Sequence, residues 1–295
     1  MKKILITGAT GGLGSAVAGF LKKKSTGQQI AVLVRDSKSE KAIKLKEDGF
    51  EIRVADYDDS SALLKAFAGI DILYFVSGSD IANRHSQHKN VVNAAKSAGI
   101  DHVFYTSVSL NNLSTDAPLY GAMKIHMDTE DWIKETGLKY TFLRHNLYSE
   151  VIPMFLGAKD QLLAGKMVFL PTMEGKTAFV PRTELAEIGA LTLADAATHE
   201  NKIYELNGSD KVTFSEVSKH LSEITGEAIS YMSPSIEDFE KTMNKNGVPE
   251  EYISMMAAFS LAIAEGVFDA PSSDLEQLLG RSSLSTLKFL SQVYS

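Results

Sequence analysis

The sequence contains no cysteine, a single tryptophan and only seven prolines in 295 residues. Without cysteine there are no disulfides, no thiolate nucleophiles and no cysteine–metal centres, which suits a reducing compartment. No apolar run approaches the roughly 20 residues that a membrane-spanning helix needs. Lys2 and Lys3 precede an apolar stretch as in a secretory signal, but residues 4–6 fall short of the roughly 7–15 apolar residues such a signal requires. That stretch reads as a buried first strand, and the chain is expected in the cytoplasm. Positive charge is also scarce. Lys and Arg total 30 against 37 Asp and Glu, a net charge of -7. Nucleic-acid binding concentrates Lys and Arg against phosphates, so that class is disfavoured. There is no internal repeat, low-complexity tract or flexible linker.

What is present is a rhythm. Short apolar runs at 3–7, 30–34, 51–55, 72–76, 102–107 and 140–144 are rich in Val, Ile, Tyr and Phe, as strands buried on both faces should be. Amphipathic stretches lie between them, including 13–24, 60–68, 87–98 and 123–136. Gly49, Gly69, Gly99 and Gly137 fall where helices would close on a left-handed cap. Strand–helix alternation of this kind implies βαβ units and an α/β fold, a Rossmann-type doubly wound parallel sheet. Beyond residue 150 the pattern loosens. Segments 176–181 and 202–206 read as strands, and 184–197, 214–225, 236–246 and 250–264 as helices. Residues 1–150 are thus expected to form a dinucleotide-binding domain, with segments around 176–210 returning to it. Residues 151–295 would form a smaller, mostly helical substrate-binding lobe, and a crevice beside it would suit a ligand.

The first strand hands over to a turn, Thr7-Gly8-Ala9-Thr10-Gly11-Gly12-Leu13-Gly14, that opens a helix. This is the context a dinucleotide-binding fingerprint requires. Gly8 allows the tight turn, Gly11 lets backbone approach a pyrophosphate, and Gly14 lets helix and strand pack closely. The helix N-terminus offers unsatisfied N–H groups and the positive end of its dipole. A glycine-rich turn without a ligand is the plain alternative. The second strand ends Val34-Arg35-Asp36. An acidic residue there binds the ribose hydroxyls of NAD, whereas arginine accepts the 2′-phosphate of NADP. Arg35 favours NADPH, while Asp36 keeps NADH possible.

The GxxGxxG spacing beginning TGATG resembles the extended and atypical short-chain dehydrogenases/reductases. Ala55-Asp56-Tyr57, Val76-Ser77-Gly78, the stretch from Gln87 to Ala95, the stretch from Thr141 to Glu150, Val180-Pro181-Arg182 and Tyr204 to Gly208 extend the likeness. Together they resemble the NmrA-like group, and within it the type 2 NAD(P)H:quinone oxidoreductases and triphenylmethane dye reductases. The resemblance implies NADPH binding, with Asp56 and Tyr57 beside the adenine and Val76, Ser77 and Gly78 along the ribose. It places Asn90 and Asn146 beside the nicotinamide or substrate, and implies hydride transfer to a quinone or similar flat acceptor. Other NmrA-like proteins bind the dinucleotide as sensors and catalyse nothing.

A catalytic set is also legible. Tyr120 and Lys124 match a Y-x-x-x-K pattern, with Ser107 at the end of a strand. Residues four apart share a helix face, so Lys124 could sit beneath the Tyr120 hydroxyl and stabilise a phenolate, with Ser107 orienting a substrate oxygen. Ten tyrosines make about one such match expected by chance, and the quinone-reductase group lacks this tyrosine. His126 and Glu130 read as an exposed polar face. His85 and His88 lack a third ligand at sensible spacing, so no metal is expected. Met255, Met256 and Phe259 fit core packing, or an apolar pocket for a flat acceptor.

Three functions follow. The first is an NADPH-dependent quinone reductase acting on a small-molecule acceptor. The second is an NADP(H)-binding sensor that signals to a protein partner. The third is a sugar-nucleotide epimerase or dehydratase. That last reading is weakened because residues 151–295 hold only Arg182 and Arg281 to clamp a diphosphate.

Overall fold

The computed structural model describes residues 2–24, 29–271 and 273–295. Its first elements are β1 (Lys3–Ile6), α1 (Gly12–Lys24), β2 (Gln29–Val34), α2 (Glu40–Glu47), β3 (Glu51–Val54), α3 (Ser60–Phe67), β4 (Ile72–Phe75) and α4 (Arg84–Ala98). Then come β5 (His102–Val108), α5 (Tyr120–Thr136), β6 (Lys139–His145), α6 (Val151–Leu156), α7 (Lys159–Gly165), β7 (Met167–Phe169) and α8 (Arg182–Ala194). The chain closes with β8 (Lys202–Leu206), α9 (Phe214–Thr225), β9 (Ser230–Met232), α10 (Ile236–Lys245), α11 (Glu250–Ala264), α12 (Leu275–Leu279) and α13 (Thr286–Tyr294).

Seven strands form one sheet in the order β3-β2-β1-β4-β5-β6-β8. Ile4 of β1 pairs in parallel with Ile30 of β2 on one side and Ile72 of β4 on the other. The chain winds outward through β2 and β3, then crosses back to β4. The order therefore reverses between β1 and β4, and at the carboxyl ends of such a pair an open α/β sheet leaves its ligand crevice. This is the Rossmann-type doubly wound arrangement that the apolar rhythm implies. The six expected strands differ from the observed ones only at their ends. Gly49, Gly69, Gly99 and Gly137 all adopt positive φ, from +71° to +82°.

The chain divides into two compact units that interleave along the sequence. The first comprises residues 1–108, 122–144 and 182–204. Its core includes Leu5, Leu33, Phe67, Phe75, Tyr105 and Phe142, packed between the sheet and the helices over one face. On the other face α8 lies against α1, and Gly189 makes room for Tyr74, whose hydroxyl would stand 2.5 Å from an added Cβ. The second unit comprises residues 109–121, 145–181 and 205–295. It holds a parallel pair, β7 with β9, in which Val168 faces Tyr231. Here α9 packs on β9 and α13, α10 packs on α11, and Phe259 stacks on Phe268 at 6.2 Å. Met256 is buried, consistent with core packing on α11.

The expected strand at 176–181 does not form. Val180 pairs in parallel with Tyr148 while Thr177 pairs antiparallel with Val212, so two different partners split the segment into isolated bridges. Pro181, without an N–H, cannot extend either pairing. Among the described residues no helix is long and apolar enough to cross a membrane.

Candidate functional site: the strand ends around the glycine turn

The site is built largely from backbone. Gly8 sits at φ +62°, and a Cβ there would come 3.0 Å from Cβ of Val76. The Gly11 amide donates to the Gly8 carbonyl at 2.9 Å and closes the turn. Gly14 is the tightest position. An added Cβ would lie 2.5 Å from the Gly8 oxygen and 2.7 Å from that of Thr7, backbone atoms that cannot move aside. The helix is thereby pressed onto the strand end with its first turn, which begins at the exposed Gly12, opening the N-terminal cradle that an anionic diphosphate requires. Leu13 is buried beneath the turn, and Thr10 is half-buried with its carbonyl accepting from Lys41 Nζ at 3.0 Å.

Behind the turn, side chains lock the neighbouring strand ends. Thr7 Oγ1 accepts from the Val76 amide at 2.9 Å and lies 2.6 Å from the Tyr57 hydroxyl, which is also 3.1 Å from the Val76 carbonyl. Burial pushes the Tyr57 phenol well above its ordinary range, with Asp56 adding to the effect, so it stays protonated as a donor. The Ser77 amide donates to Thr106 Oγ1 at 2.9 Å, and the Gly78 amide to His88 Nε2 at 3.0 Å. Because Nε2 accepts, the ring hydrogen is on Nδ1, which donates to Thr129 Oγ1 at 2.9 Å; that hydroxyl in turn donates to the Ile125 carbonyl at 2.6 Å. Burial, reinforced by His126, Arg84 and His85, lowers the His88 pKa to about 2, so the ring remains a neutral acceptor. Val76, Ser77 and Gly78 are thus held at three successive points.

At the end of β2, Asp36 Oδ1 accepts from the Lys38 amide at 2.8 Å. The exposed Arg35 guanidinium meets no hydrogen-bond partner among the described residues. Asp56 Oδ1 similarly accepts from the Asp58 amide at 3.1 Å, and Asn90 Nδ2 donates to the Tyr57 carbonyl at 3.0 Å.

The remaining expected site residues lie on β5, on α5 and in the segment after β6. Ser107 is buried on β5, Tyr120 is the half-buried first residue of α5, and Lys124 lies one turn further on. The Lys124 ammonium is ion-paired with Asp128, the next residue along that face. Asn146 is buried in the second unit, where Nδ2 donates to Asn207 Oδ1 at 2.7 Å and to the Phe268 carbonyl at 3.0 Å, while Oδ1 accepts from the Leu147 amide at 2.7 Å. Its amide is therefore filled by protein partners.

One expectation is overturned. His126 and Glu130 are not on an exposed face; they are 9% and 3% exposed. Glu130 takes a bidentate pair from Arg144 at 2.9 and 2.7 Å, and His126 Nδ1 lies 3.0 Å from the Tyr105 hydroxyl. These partners come from β5 and β6, and they offset the desolvation that makes such burial unfavourable. His85 meets the Trp132 ring edge-on at 4.8 Å, and no group of three or more His, Asp or Glu is placed to hold a metal among the described residues.

Two residues at this site, Thr106 and Lys41, escape sequence reasoning, as does the approach of a third, Arg182, to the turn. Thr106 and Lys41 lie in unremarkable contexts, although Ser39 capping α2 and Gly49 beyond it signal the helix that carries Lys41. Arg182 reaches the turn from far along the chain: a Cβ on Gly12 would stand 2.9 Å from its Nη1 and 3.3 Å from its Cδ.

The family model for the NmrA-like family matches residues 1–287. The chain is 32% identical over 292 residues to quinone oxidoreductase 2 of Escherichia coli strain K12, with 99% of each chain covered. The chain belongs to the NmrA-like family. Two further relatives of this NmrA-like protein bear on its reading. It is 25% identical over 253 residues to the NAD(P)H azoreductase of Xenophilus azovorans, covering 86% of this chain and 84% of that one. Its fold matches the Citrobacter sp. triphenylmethane reductase complexed with NADP(H) at a TM-score of 0.88 and 34% identity, covering 98% and 99% of the two chains.

Proposed function

We propose that this NmrA-like protein is an NADPH-dependent reductase that passes hydride to a quinone or a similar conjugated small molecule. The observation that carries the reading is the turn at residues 8–14. It is packed so closely that no side chain fits at Gly14, and it sets the N-terminus of α1 at the switch point of the sheet. Full-length similarity to a quinone oxidoreductase and to a triphenylmethane reductase supports the acceptor class.

Within this reading the turn and α1 hold the pyrophosphate, and the exposed Arg35 takes the 2′-phosphate. Thr7, Thr106 and His88 fix Val76, Ser77 and Gly78 so that the ribose meets a rigid edge. Bound NADPH supplies the hydride. Ser107, Tyr120 and Lys124 are not required as a proton-donating set, because Asp128 already offsets the Lys124 charge that would have served Tyr120. A quinone spreads incoming negative charge over its ring and oxygens, which lessens the need for a protein acid.

The test mixes purified protein with NADPH and a panel of small quinones and follows the reduced-nicotinamide absorbance. Acceptor-dependent loss of NADPH is expected. Binding of NADPH with no consumption across the panel would contradict the reductase reading.

A further inference from the structure

The Arg182 guanidinium occupies an electrostatically unusual place. Arg182 is the first residue of α8, and its Nη1, Cζ and Cδ lie across Gly12, the first residue of α1. Two helix N-termini, each the positive end of its dipole, therefore converge on a cation. The first turn of α8 also carries the buried Glu184, and an anionic diphosphate at the amides of α1 would meet the guanidinium together with the helix end. Lys41, carried by α2, donates to the Thr10 carbonyl of the same turn. In a chain of net charge -7, two cations from separate helices thus reach one backbone turn. Gly12 also acquires a reason to be glycine: a side chain there would push the guanidinium off α1.

We propose that Arg182 is a pyrophosphate-binding residue, a cation delivered by α8 to the amides of α1. The inference rests on the dinucleotide reading above and assigns a role that the fingerprint itself does not contain. It also separates the labour of two arginines. Arg35, at the end of β2, reads the 2′-phosphate; Arg182 reads the diphosphate common to all nicotinamide and adenine dinucleotides.

The test measures binding by calorimetry for wild type, Arg182→Gln and Arg182→Lys against four ligands: NADPH, NADH, ADP-ribose and adenosine 2′-monophosphate. Arg182→Gln is expected to weaken NADPH, NADH and ADP-ribose alike by about tenfold, the loss of one charge-assisted contact. Binding of the 2′-monophosphate, which has no diphosphate, should not change. Arg182→Lys should recover part of the loss, keeping the charge without the planar fork. Undiminished ADP-ribose affinity in Arg182→Gln would overturn the proposal, as would equal weakening of the 2′-monophosphate, which marks a general structural role. If wild type binds none of the four ligands, the dinucleotide reading itself has failed, an outcome distinct from failure of Arg182 alone.

Discussion

The two units build their strand-end features by opposite means. In the first unit the turn at residues 8–14 is backbone, and the side chains of Thr7, Tyr57, Thr106 and His88 are spent holding the neighbouring backbone of Val76, Ser77 and Gly78. In the second unit the segment after β6 is held by side chains: Asn146 bridges Asn207, Phe268 and Leu147. His145 Nδ1 lies 3.3 Å from the Tyr148 hydroxyl in the same segment. A backbone site tolerates many changes of side-chain type but no added volume at its closest approach. A side-chain clasp tolerates volume poorly too, but above all it cannot lose a polar partner, since each orphaned buried group carries its full desolvation cost.

Substitutions should separate the two designs. The largest effect is expected for Gly14→Val, which drives two methyl groups into the Gly8 and Thr7 carbonyls. It should cost about 3 kcal/mol or more in urea unfolding and abolish dinucleotide binding. Asn146→Ala should cost about 2 to 3 kcal/mol by orphaning several buried groups. Because the side chain of Asn146 is taken up by the protein, dinucleotide affinity measured well below the melting temperature should hold.

Acid sharpens the comparison further, because both units bury neutral histidines. Burial lowers His88 to about 2 and His102 to about 4 in the first unit, and His145 to about 3 in the second. The unfolded value is near 6.5, so between about pH 6.5 and pH 4 the unfolded chain binds protons that the folded chain refuses. Stability is full above that window and falls as pH drops through it, by at most about 1.4 kcal/mol per pH unit for each histidine. His145→Gln should flatten the pH dependence of the urea midpoint, and so should His88→Gln. An unchanged slope in both would remove neutral burial as the cause.

Smaller effects test the cofactor and the chemistry. Arg35→Glu should weaken NADPH by about thirtyfold while leaving NADH nearly unchanged, a difference of about 2 kcal/mol. Equal losses for both would refute its assignment to the 2′-phosphate. Smallest of all, Tyr120→Phe should leave quinone-dependent turnover within about twofold of wild type, well under 1 kcal/mol. A hundredfold drop in kcat with unchanged stability would restore Tyr120 as an acid.

The same contrast explains what could be read from the sequence. Local signals, such as the apolar strands, the helix-closing glycines and the spacing of Gly8, Gly11 and Gly14, carry the first unit almost completely, because each turn of the wound sheet is a contiguous stretch. Residues 182–204 rejoin the first unit after a long intervening stretch, a return set by tertiary packing rather than by any local pattern. Burial of His126 and Glu130 was illegible. Their stabilising partners, Tyr105 and Arg144, lie on strands, and a helix pattern of polar residues looks solvent-facing until those partners are placed. The short α6, α7, β7 and β9 carry too few residues for a period to emerge, and they depend on tertiary pairing such as Val168 with Tyr231.

The most direct measurement of the account is thermal unfolding of the protein with increasing NADPH or NADH. A ligand held by the turn binds only the folded chain, so the melting temperature should climb steadily, with about 2.7 kcal/mol of added stability at a hundredfold excess over Kd. A melting temperature that stays flat for both dinucleotides up to millimolar concentration would contradict the claim that the amides of α1 grip a pyrophosphate.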